Sequence, residues 1–210
     1  MNRKLRKFYE FVEGMDTAMF TTRRRDGHLV SRPMANQKIA KGADLWFVTY
    51  TKADKVREIR KDPHVNLAYF KDRTREWISV SGIAKLVDDR KKVHELYAPD
   101  WRAWFGDEGG AMDGSPDDPR MLLIGVDIHT AMYMEVNKPQ PVVLFEILKG
   151  MVTGTPPDIG KVREIGGGQA RRARSSRSKS TASARKASTS STKKRSTKSA
   201  AKKSSKGKRK

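Results

Sequence analysis

The segment from residue 31 to residue 55 carries the side chains best suited to bind an anion. Arg32 lies in an extended stretch, and Lys55 lies near the start of a helix that follows the next extended stretch. Two strands joined by a short Gly-containing turn place Arg32 near this helix start. A helix start offers unpaired N–H groups and a partial positive charge. The spacing therefore predicts a phosphate site formed by Arg32, Lys55 and the helix start.

The strand between the two cations indicates what the phosphate belongs to. Residues 45–49 read Leu-Trp-Phe-Val-Thr and form an apolar strand surface beside the predicted phosphate site. A lysine at a helix start is unfavourable for the helix dipole unless an anion lies between them. A phosphate at the edge of a flat apolar surface suits a flavin. The segment therefore points to flavin mononucleotide (FMN).

The elements that must position these residues are mainly short strands. Apolar residues at helical spacing between residues 5 and 12 predict a first helix, which ends at Gly14. We expect strands at residues 17–22, 28–37, 44–50, 65–70, 77–87 and 121–136, and helices at residues 54–61, 88–97 and 101–105. Six or more strands with only short helices between them predict a mainly β (α+β) antiparallel barrel with short peripheral helices. Beyond Asn137 we expect the chain to leave the barrel and wrap around its outside.

Composition argues against several kinds of site. The chain has no cysteine, which excludes disulfides, thiolate metal ligands and cysteine nucleophiles. Its four histidines lie far apart without metal-ligand spacing, so we expect no metal site. Asp113, Asp117 and Asp118 lack the calcium-loop spacing and are expected to be solvated. No apolar run approaches the roughly 18 residues that span a bilayer, so we expect a cytoplasmic protein without membrane insertion.

The C-terminal segment differs sharply from the rest of the chain. Residues 171–210 contain 17 of the 45 Lys and Arg residues and none of the 24 Asp and Glu residues. Without aromatic or large aliphatic side chains, this tail is expected to be disordered. A flexible polycation binds duplex phosphates by releasing counterions, so DNA is the expected partner, with RNA or an anionic membrane as alternatives. The expected nucleic-acid-binding residues are Arg171, Arg172, Arg174, Arg177, Lys179, Arg185, Lys186, Lys193, Lys194, Arg195, Lys198, Lys202 and Lys203.

Several motifs resemble one known family when they are taken in order. They are Ser31-Arg32-Pro33-Met34, Leu45-Trp46-Phe47-Val48-Thr49, Lys55-Val56 with Ile59, Pro63-His64-Val65-Asn66-Leu67, Ser79-Val80-Ser81-Gly82, Val87-Asp88-Asp89 and Trp101-Arg102-Ala103-Trp104-Phe105. The order resembles the FMN-binding split barrels of the pyridoxamine 5′-phosphate oxidase superfamily, and more closely its bacterial general stress protein branch. The tail is similar to those of histone-like and linker-histone proteins. The change of charge and hydrophobicity near Gly166-Gly167-Gly168 divides the chain into a split-barrel domain, residues 1–165, which the resemblance implies is flavin-binding, and a disordered basic tail, residues 166–210.

The resemblance also implies roles for particular residues. Arg32 and Lys55 would hold the flavin phosphate, while other residues would line the ribityl chain and the flavin ring. These lining residues are Pro33, Met34, Phe47, Val48, Thr49, Trp77 and, as a contact from the covering helix, Trp104. Such barrels are homodimers that bind two flavins across their interface. For Trp46 and Trp101 a place in the core or the dimer interface is the simpler expectation.

Two departures from the family pattern bear on function. Ala53 stands where many relatives carry a small hydroxyl residue, which removes one phosphate hydrogen bond, and no Arg-x-His cluster is present for a pyridoxal phosphate substrate. Vitamin B6 oxidation is therefore not expected, and the sequence identifies no catalytic residue. Two functions remain open: an FMN-dependent oxidoreductase of unknown substrate and electron donor, with FAD as an alternative cofactor, or a non-enzymatic, dimeric DNA-associated stress protein. A deazaflavin or haem on the same barrel is a third interpretation.

Overall fold

The protein, described by a computed structural model, consists of five helices and seven strands over residues 3–166; residues 167–210 of the predicted tail lie outside the described residues. The helices are α1 (Arg3–Glu13), α2 (Asp54–Lys61), α3 (Arg90–Leu96), α4 (Trp101–Phe105) and α5 (Gln140–Thr153). The strands are β1 (Thr17–Arg23), β2 (Leu29–Ala35), β3 (Leu45–Tyr50), β4 (His64–Lys71), β5 (Glu76–Val87), β6 (Met121–Glu135) and β7 (Lys161–Gly166). No helix in this range has the length and apolar character needed to cross a bilayer.

The strands form one antiparallel sheet that curls into an incomplete barrel. The order is β2-β1-β4-β5-β6-β3, and β7 pairs with residues 130–135 of β6, beyond the stretch of β6 that pairs with β3. Strands β2 and β3 therefore stand at the two ends of the order, although a short connection joins them in sequence. The backbone N–H of Gln37 donates to the carbonyl of Trp46 across this gap at 2.9 Å. The predicted antiparallel split-barrel α+β fold is confirmed.

Period-two alternation places one face of each strand in the core. In β1, Ala18, Phe20 and Thr22 are buried while their neighbours are more exposed. Helix α1 covers the main core with Phe8, whose ring contacts Tyr133 at a centroid separation of 6.1 Å. Because of this alternation, only every second residue of a strand can face the inner side of the barrel.

A second, smaller core lies on the other side of β3 under α3 and α4. Trp46 and Trp101 are each only 2% exposed there, and they share this cluster with Leu123. The indole N–H of Trp101 donates to the side-chain oxygen of Gln37 at 2.8 Å, and that of Trp46 donates to the carbonyl of Ala40 at 3.1 Å. The expectation that both tryptophans are core residues is confirmed.

The prediction for the chain beyond Asn137 was wrong. The chain does not stay outside the barrel: residues 140–153 form α5, and β7 then returns to the sheet and pairs with β6 between Thr130 and Glu135. The prolines and glycines in this region delimit a helix: Pro141 lies in the first turn of α5, and Gly154, with a φ of 69°, ends it. Ile165 of β7 is 1% exposed and belongs to the main core.

Two predicted elements are three residues shorter in the structure. The helix expected over residues 88–97 covers only Arg90–Leu96, because the side chain of Asp89 caps it by accepting a bond from the backbone N–H of Lys91 at 3.0 Å. The strand expected over residues 28–37 covers only Leu29–Ala35.

A buried ion pair organises the loop between α4 and β6. Asp118, which was expected to be solvated, is fully buried and binds the Arg120 guanidinium, with its Oδ2 2.6 Å from Nη2. It also accepts the backbone N–H of Gly114 at 2.9 Å. The carbonyl of Arg120 in turn accepts the backbone N–H of Thr51 at 2.9 Å. The loop is thereby fastened beside the junction of β3 and α2.

Candidate functional site

Helix α2 bridges the gap between the two end strands of the sheet. It follows β3 directly, and Val56 and Ile59 anchor it because both are almost fully buried. With these two side chains turned into the core, Lys55 and Glu58 face the inner side of β1 and β2. Arg32 contacts α2 at Glu58, and Asp54 at the start of the helix lines the same cleft as Arg32.

Arg32 forms a compact hydrogen-bonded cluster with β1 and α2. Its Nη1 donates to Oγ1 of Thr22 at 2.8 Å, and its Nη2 donates to Oε1 of Glu58 at 3.0 Å. Thr22 Oγ1 donates in turn to Oε2 of Glu58 at 2.6 Å. The side chain of Glu58 is 9% exposed and that of Arg32 is 25% exposed. The guanidinium is therefore held in one orientation while part of it still reaches solvent.

Lys55 lies in the same cluster and carries a charge that its surroundings disfavour. Its Nζ donates to Oγ1 of Thr49 at 3.3 Å. Burial lowers the pKa of Lys55, and the nearby positive charge of Arg32 lowers it further; Glu58 and Asp54 offset only part of this effect. The two cations repel each other, so an anion placed between them would stabilise both.

Glu58 is ionised at neutral pH despite its position. Burial, the largest single influence, raises the pKa of Glu58, but the hydrogen bonds from Arg32 and Thr22 together outweigh it and leave the pKa below its usual value. The carboxylate thus neutralises one of the two cations. A net positive charge remains, because Lys55 bonds only to a neutral hydroxyl.

An open cleft of about 420 Å³ lies beside this cluster. Its lining consists of Arg24, Arg25, Asp26, Val30, Arg32, Asp54, Arg57 and Glu58. Four arginines face three carboxylates there, so the wall is positively charged in total. At the start of α2, Ala53 provides no side-chain cap, which leaves the first N–H groups of the helix without a side-chain partner. Guanidinium groups and an uncapped helix start both favour an anion in this cleft.

The residues of β2 and β3 that were predicted to line the flavin differ in how deeply they are buried. Thr49 is buried beside Lys55, whereas Met34 and Phe47 are buried in the main core. A ligand can therefore meet only the backbone of Met34 and Phe47. Val48 points to the opposite side of β3 and packs against the smaller core, and Pro33 is exposed on β2.

Trp77 and Trp104 do not line the cleft. Trp77 is half-buried on β5 and points away from the main core, since its neighbour Ile78 is buried. Trp104 is 78% exposed on α4, where its carbonyl accepts the hydroxyl of Tyr50 at 2.6 Å. Arg32, Thr49 and Lys55 are brought together within one protomer, whereas these two tryptophans are not brought to them.

Sequence reasoning missed Glu58 and Thr22. The sequence nevertheless contains an indication of each. Glu58 lies three residues after Lys55 and hence on the same side of α2. Thr22 continues the inward series of Ala18 and Phe20 on β1, where a polar side chain requires a partner. Across residues 3–166, no group of three or more His, Asp or Glu side chains is arranged to hold a metal ion.

Comparison with known proteins relates this fold to one family. The family model "Pyridoxamine 5′-phosphate oxidase like" matches residues 3–158. Protein bli-3 of Neurospora crassa is 36% identical over 179 residues, which cover 84% of this chain and 86% of that protein.

Solved structures show the same fold at lower identity. A general stress protein 26 of Jannaschia sp. CCS1 aligns with a TM-score of 0.61 at 22% identity, covering 79% of this chain and 99% of the other. The general stress FMN/FAD binding protein of Xanthomonas citri aligns with a TM-score of 0.51 at 24% identity, covering 64% and 89% of the two chains. The split barrel, the family model and the fungal relative agree: the chain belongs to the pyridoxamine 5′-phosphate oxidase-like family.

Proposed function

We propose that the barrel binds FMN, with the flavin phosphate held by Arg32, Lys55 and the start of α2. One observation carries this proposal: β2 and α2 converge on a cleft with a surplus of positive charge. Lys55 follows the cleft residue Asp54 without lining the cleft itself, and its Nζ bonds only to the neutral hydroxyl of Thr49. Membership of the family and the FMN/FAD binding stated for the Xanthomonas citri protein support a flavin. FAD is the alternative cofactor.

Each side chain of the cluster has a definite part in this proposal. Arg32 and Lys55 bind the phosphate, Thr22 and Glu58 orient the guanidinium, and Thr49 fixes the ammonium group. The backbone of Pro33, Met34 and residues 47–49 borders the ribityl chain and the ring. When bound, the flavin supplies the electron-transfer chemistry, and the protein supplies position and electrostatics. The proposed activity is that of an FMN-dependent oxidoreductase.

A homodimer is part of the same proposal. The outward face of the sheet carries a row of small or apolar side chains in register: Met19 lies opposite Ala68, Ala68 opposite Ser79, and Ser79 opposite Met132. Met19 and Met132 are 43% and 44% exposed. A row of small and apolar side chains that crosses four strands suits a second sheet packed against it. In such a dimer, Trp77 on this face and the exposed Trp104 would reach the partner's flavin.

An absorbance spectrum of freshly purified protein tests the cofactor. We expect flavin bands that survive gel filtration, and a released chromophore that co-migrates with FMN after denaturation. Colourless protein that takes up no added FMN would contradict the proposal. A spectrum with haem or deazaflavin bands would replace the cofactor while keeping the barrel.

A second function, binding of duplex DNA by the tail, rests on the charge distribution. We propose a flavin-binding domain over residues 1–165 and a DNA-binding tail over residues 166–210, in which 17 cations lie without one acidic residue. Two tails per dimer would raise avidity through effective concentration. In the non-enzymatic version of this function, the barrel serves for dimerisation, and the protein associates with the nucleoid.

Removal of the tail should abolish salt-sensitive DNA binding. If the tail engages ~8 phosphates, the logarithm of the association constant for DNA falls by about 7 for each tenfold increase in salt concentration. The affinity of the full chain for DNA should therefore drop sharply as the salt concentration rises. A chain ending at Gly168 should bind no DNA at the same concentrations and keep its flavin. Gel shifts at several salt concentrations measure this effect. Equal retardation by the truncated chain would assign the affinity to the barrel.

A further inference from the structure

Helix α5 exposes an apolar surface that residues 3–166 leave uncovered. None of its residues is buried, although most of them are apolar. Five large apolar side chains are between 53% and 88% exposed: Leu144, Phe145, Leu148, Met151 and Val152. Monomeric proteins rarely expose a contiguous apolar patch larger than about a few hundred Å², and larger patches mark interaction sites.

The spacing of these side chains places them on one side of the helix. Leu144, Leu148 and Met151 follow one another at intervals of four and three residues, and Phe145 and Val152 flank them. The opposite side carries Val143, Glu146, Ile147 and Gly150, which are half-buried against the chain itself. Helix α5 therefore has one side attached to its own protomer and one apolar side facing away from it.

We propose that α5 packs against α5 of a second copy of this chain across a two-fold axis. Intervals of four and three residues are those of the apolar seam between two paired helices. A two-fold interface uses the same patch on both copies, and the uncharged seam of Leu144, Leu148 and Met151 complements itself. This inference rests on the homodimer proposed above and adds a second contact to its sheet face.

The charge of α5 favours a protein partner over a membrane or a polyanion. Helices that lie in a membrane surface carry Lys and Arg along their polar side. α5 has only one cation, Lys149, and one acid, Glu146, whose carboxylate lies 3.8 Å from Lys138 Nζ. Its exposed side therefore offers apolar contact without an electrostatic component.

The position of α5 also agrees with a dimer contact. The side-chain amide of Gln140, at the start of α5, donates to the carbonyl of Arg73 in the turn between β4 and β5. At this end of the sheet, the outer face carries Phe70, 61% exposed, and Val162, 56% exposed. The apolar surface of α5 thus begins at the end of the sheet where the proposed dimer face is also apolar.

Single-cysteine cross-linking of the full-length chain tests the pairing of α5 with its copy. Because the natural chain has no cysteine, each variant reports one position. Leu144→Cys, Leu148→Cys and Met151→Cys are oxidised separately under mild conditions. At least one of them should run mostly as a disulfide-linked dimer, since a disulfide needs Cβ atoms about 3.5–4.5 Å apart. Lys149→Cys is the control, because Lys149 is also exposed on α5 but lies away from the seam. This variant should remain monomeric on a non-reducing gel.

A second variant measures what the seam contributes in solution. Leu148→Asp should weaken dimerisation by about tenfold or more in sedimentation, because it removes a leucine that the pairing would bury and adds charges across the axis. Absence of cross-links at all three seam positions, or equal cross-linking of Lys149→Cys, would overturn the inference. So would binding of the natural chain, but not of Leu148→Asp, to vesicles of anionic phospholipid without any cross-link. Flavin content, measured in parallel, reports the proposed cofactor separately: a yellow dimer without seam cross-links would refute only the α5 contact.

Discussion

Replacing Arg32 and Lys55 together by alanine should weaken FMN binding by about 100-fold or more. A hydrogen bond to a charged group contributes about 1.5–3 kcal/mol, and the double variant removes at least two of them. It also leaves Glu58 in the cleft without its cation, so the carboxylate would repel the phosphate. Titration of the flavin-free protein with FMN, followed by fluorescence quenching, measures the effect.

Riboflavin makes this experiment specific for the phosphate. Riboflavin lacks the phosphate but keeps the ring and the ribityl chain, so its affinity should change little in the double variant. The preference for FMN over riboflavin should therefore disappear. Lys52→Ala is the matched control, because Lys52 is an exposed cation in the turn between β3 and α2, three residues before Lys55. If the double variant kept its preference for FMN, Arg32 and Lys55 would not belong to the phosphate site.

Glu58→Gln provides a change in the opposite direction. Glutamine keeps one acceptor oxygen, enough for the bond from Arg32 but not for the separate bond from Thr22, and removes the negative charge beside Arg32. We expect the preference for FMN over riboflavin to increase in this variant. A decrease would show that the carboxylate supports phosphate binding chiefly by orienting Arg32.

Asp118→Asn should lower the free energy of unfolding by about 3–5 kcal/mol. Loss of Asp118 removes the buried partner of Arg120, whose guanidinium would keep only the exposed Glu108 as an ion-pair partner, 2.7 Å from Nη1. Thermal unfolding should shift down by about 10 °C. Asp117→Asn is the matched control, since the side chain of Asp117 is 77% exposed and should contribute within about 0.5 kcal/mol.

The same ion pair predicts a dependence of stability on pH. The hydrogen bonds from the Arg120 side chain lower the pKa of Asp118 to about 2, although burial opposes them. In the unfolded chain this pKa is about 3.9, so the stabilisation is fully present above that pH and is lost as the pH falls towards 2. Asp118→Asn should lack this part of the acid transition. An identical acid profile in the natural chain and the variant would contradict this role of the ion pair.

The sequence predicted the barrel because its strands carry strong local signals. Alternation in β1 and β4, the hairpin turn at Asp26-Gly27 and the proline after α2 each act over a few residues. The C-terminal part was predicted wrongly because α5 is apolar on both of its sides, so its pattern did not mark it as a surface helix. β7 is short, and its place beside β6 depends on contacts with a strand about 30 residues earlier.

The candidate site was predicted in part for the same physical reason. Arg32 and Lys55 could be linked because β2, β3 and α2 follow one another in sequence. The cluster also depends on Thr22 from β1, which reaches Arg32 through sheet pairing, and on Glu58, which reaches it through the packing of α2. Asp118 gave no signal in the sequence, since an aspartate in a Gly-rich loop is usually solvated. Its burial follows from the path of the whole loop around Arg120.

A crystal structure of the protein with FMN tests the central claim most directly. The account predicts that the terminal phosphate lies between β2 and α2, within hydrogen-bonding distance of both Arg32 and Lys55, with the ring beside the strand that ends at Thr49. A flavin whose phosphate is held elsewhere, with the Arg32–Glu58 pair intact and the cleft without phosphate, would contradict it.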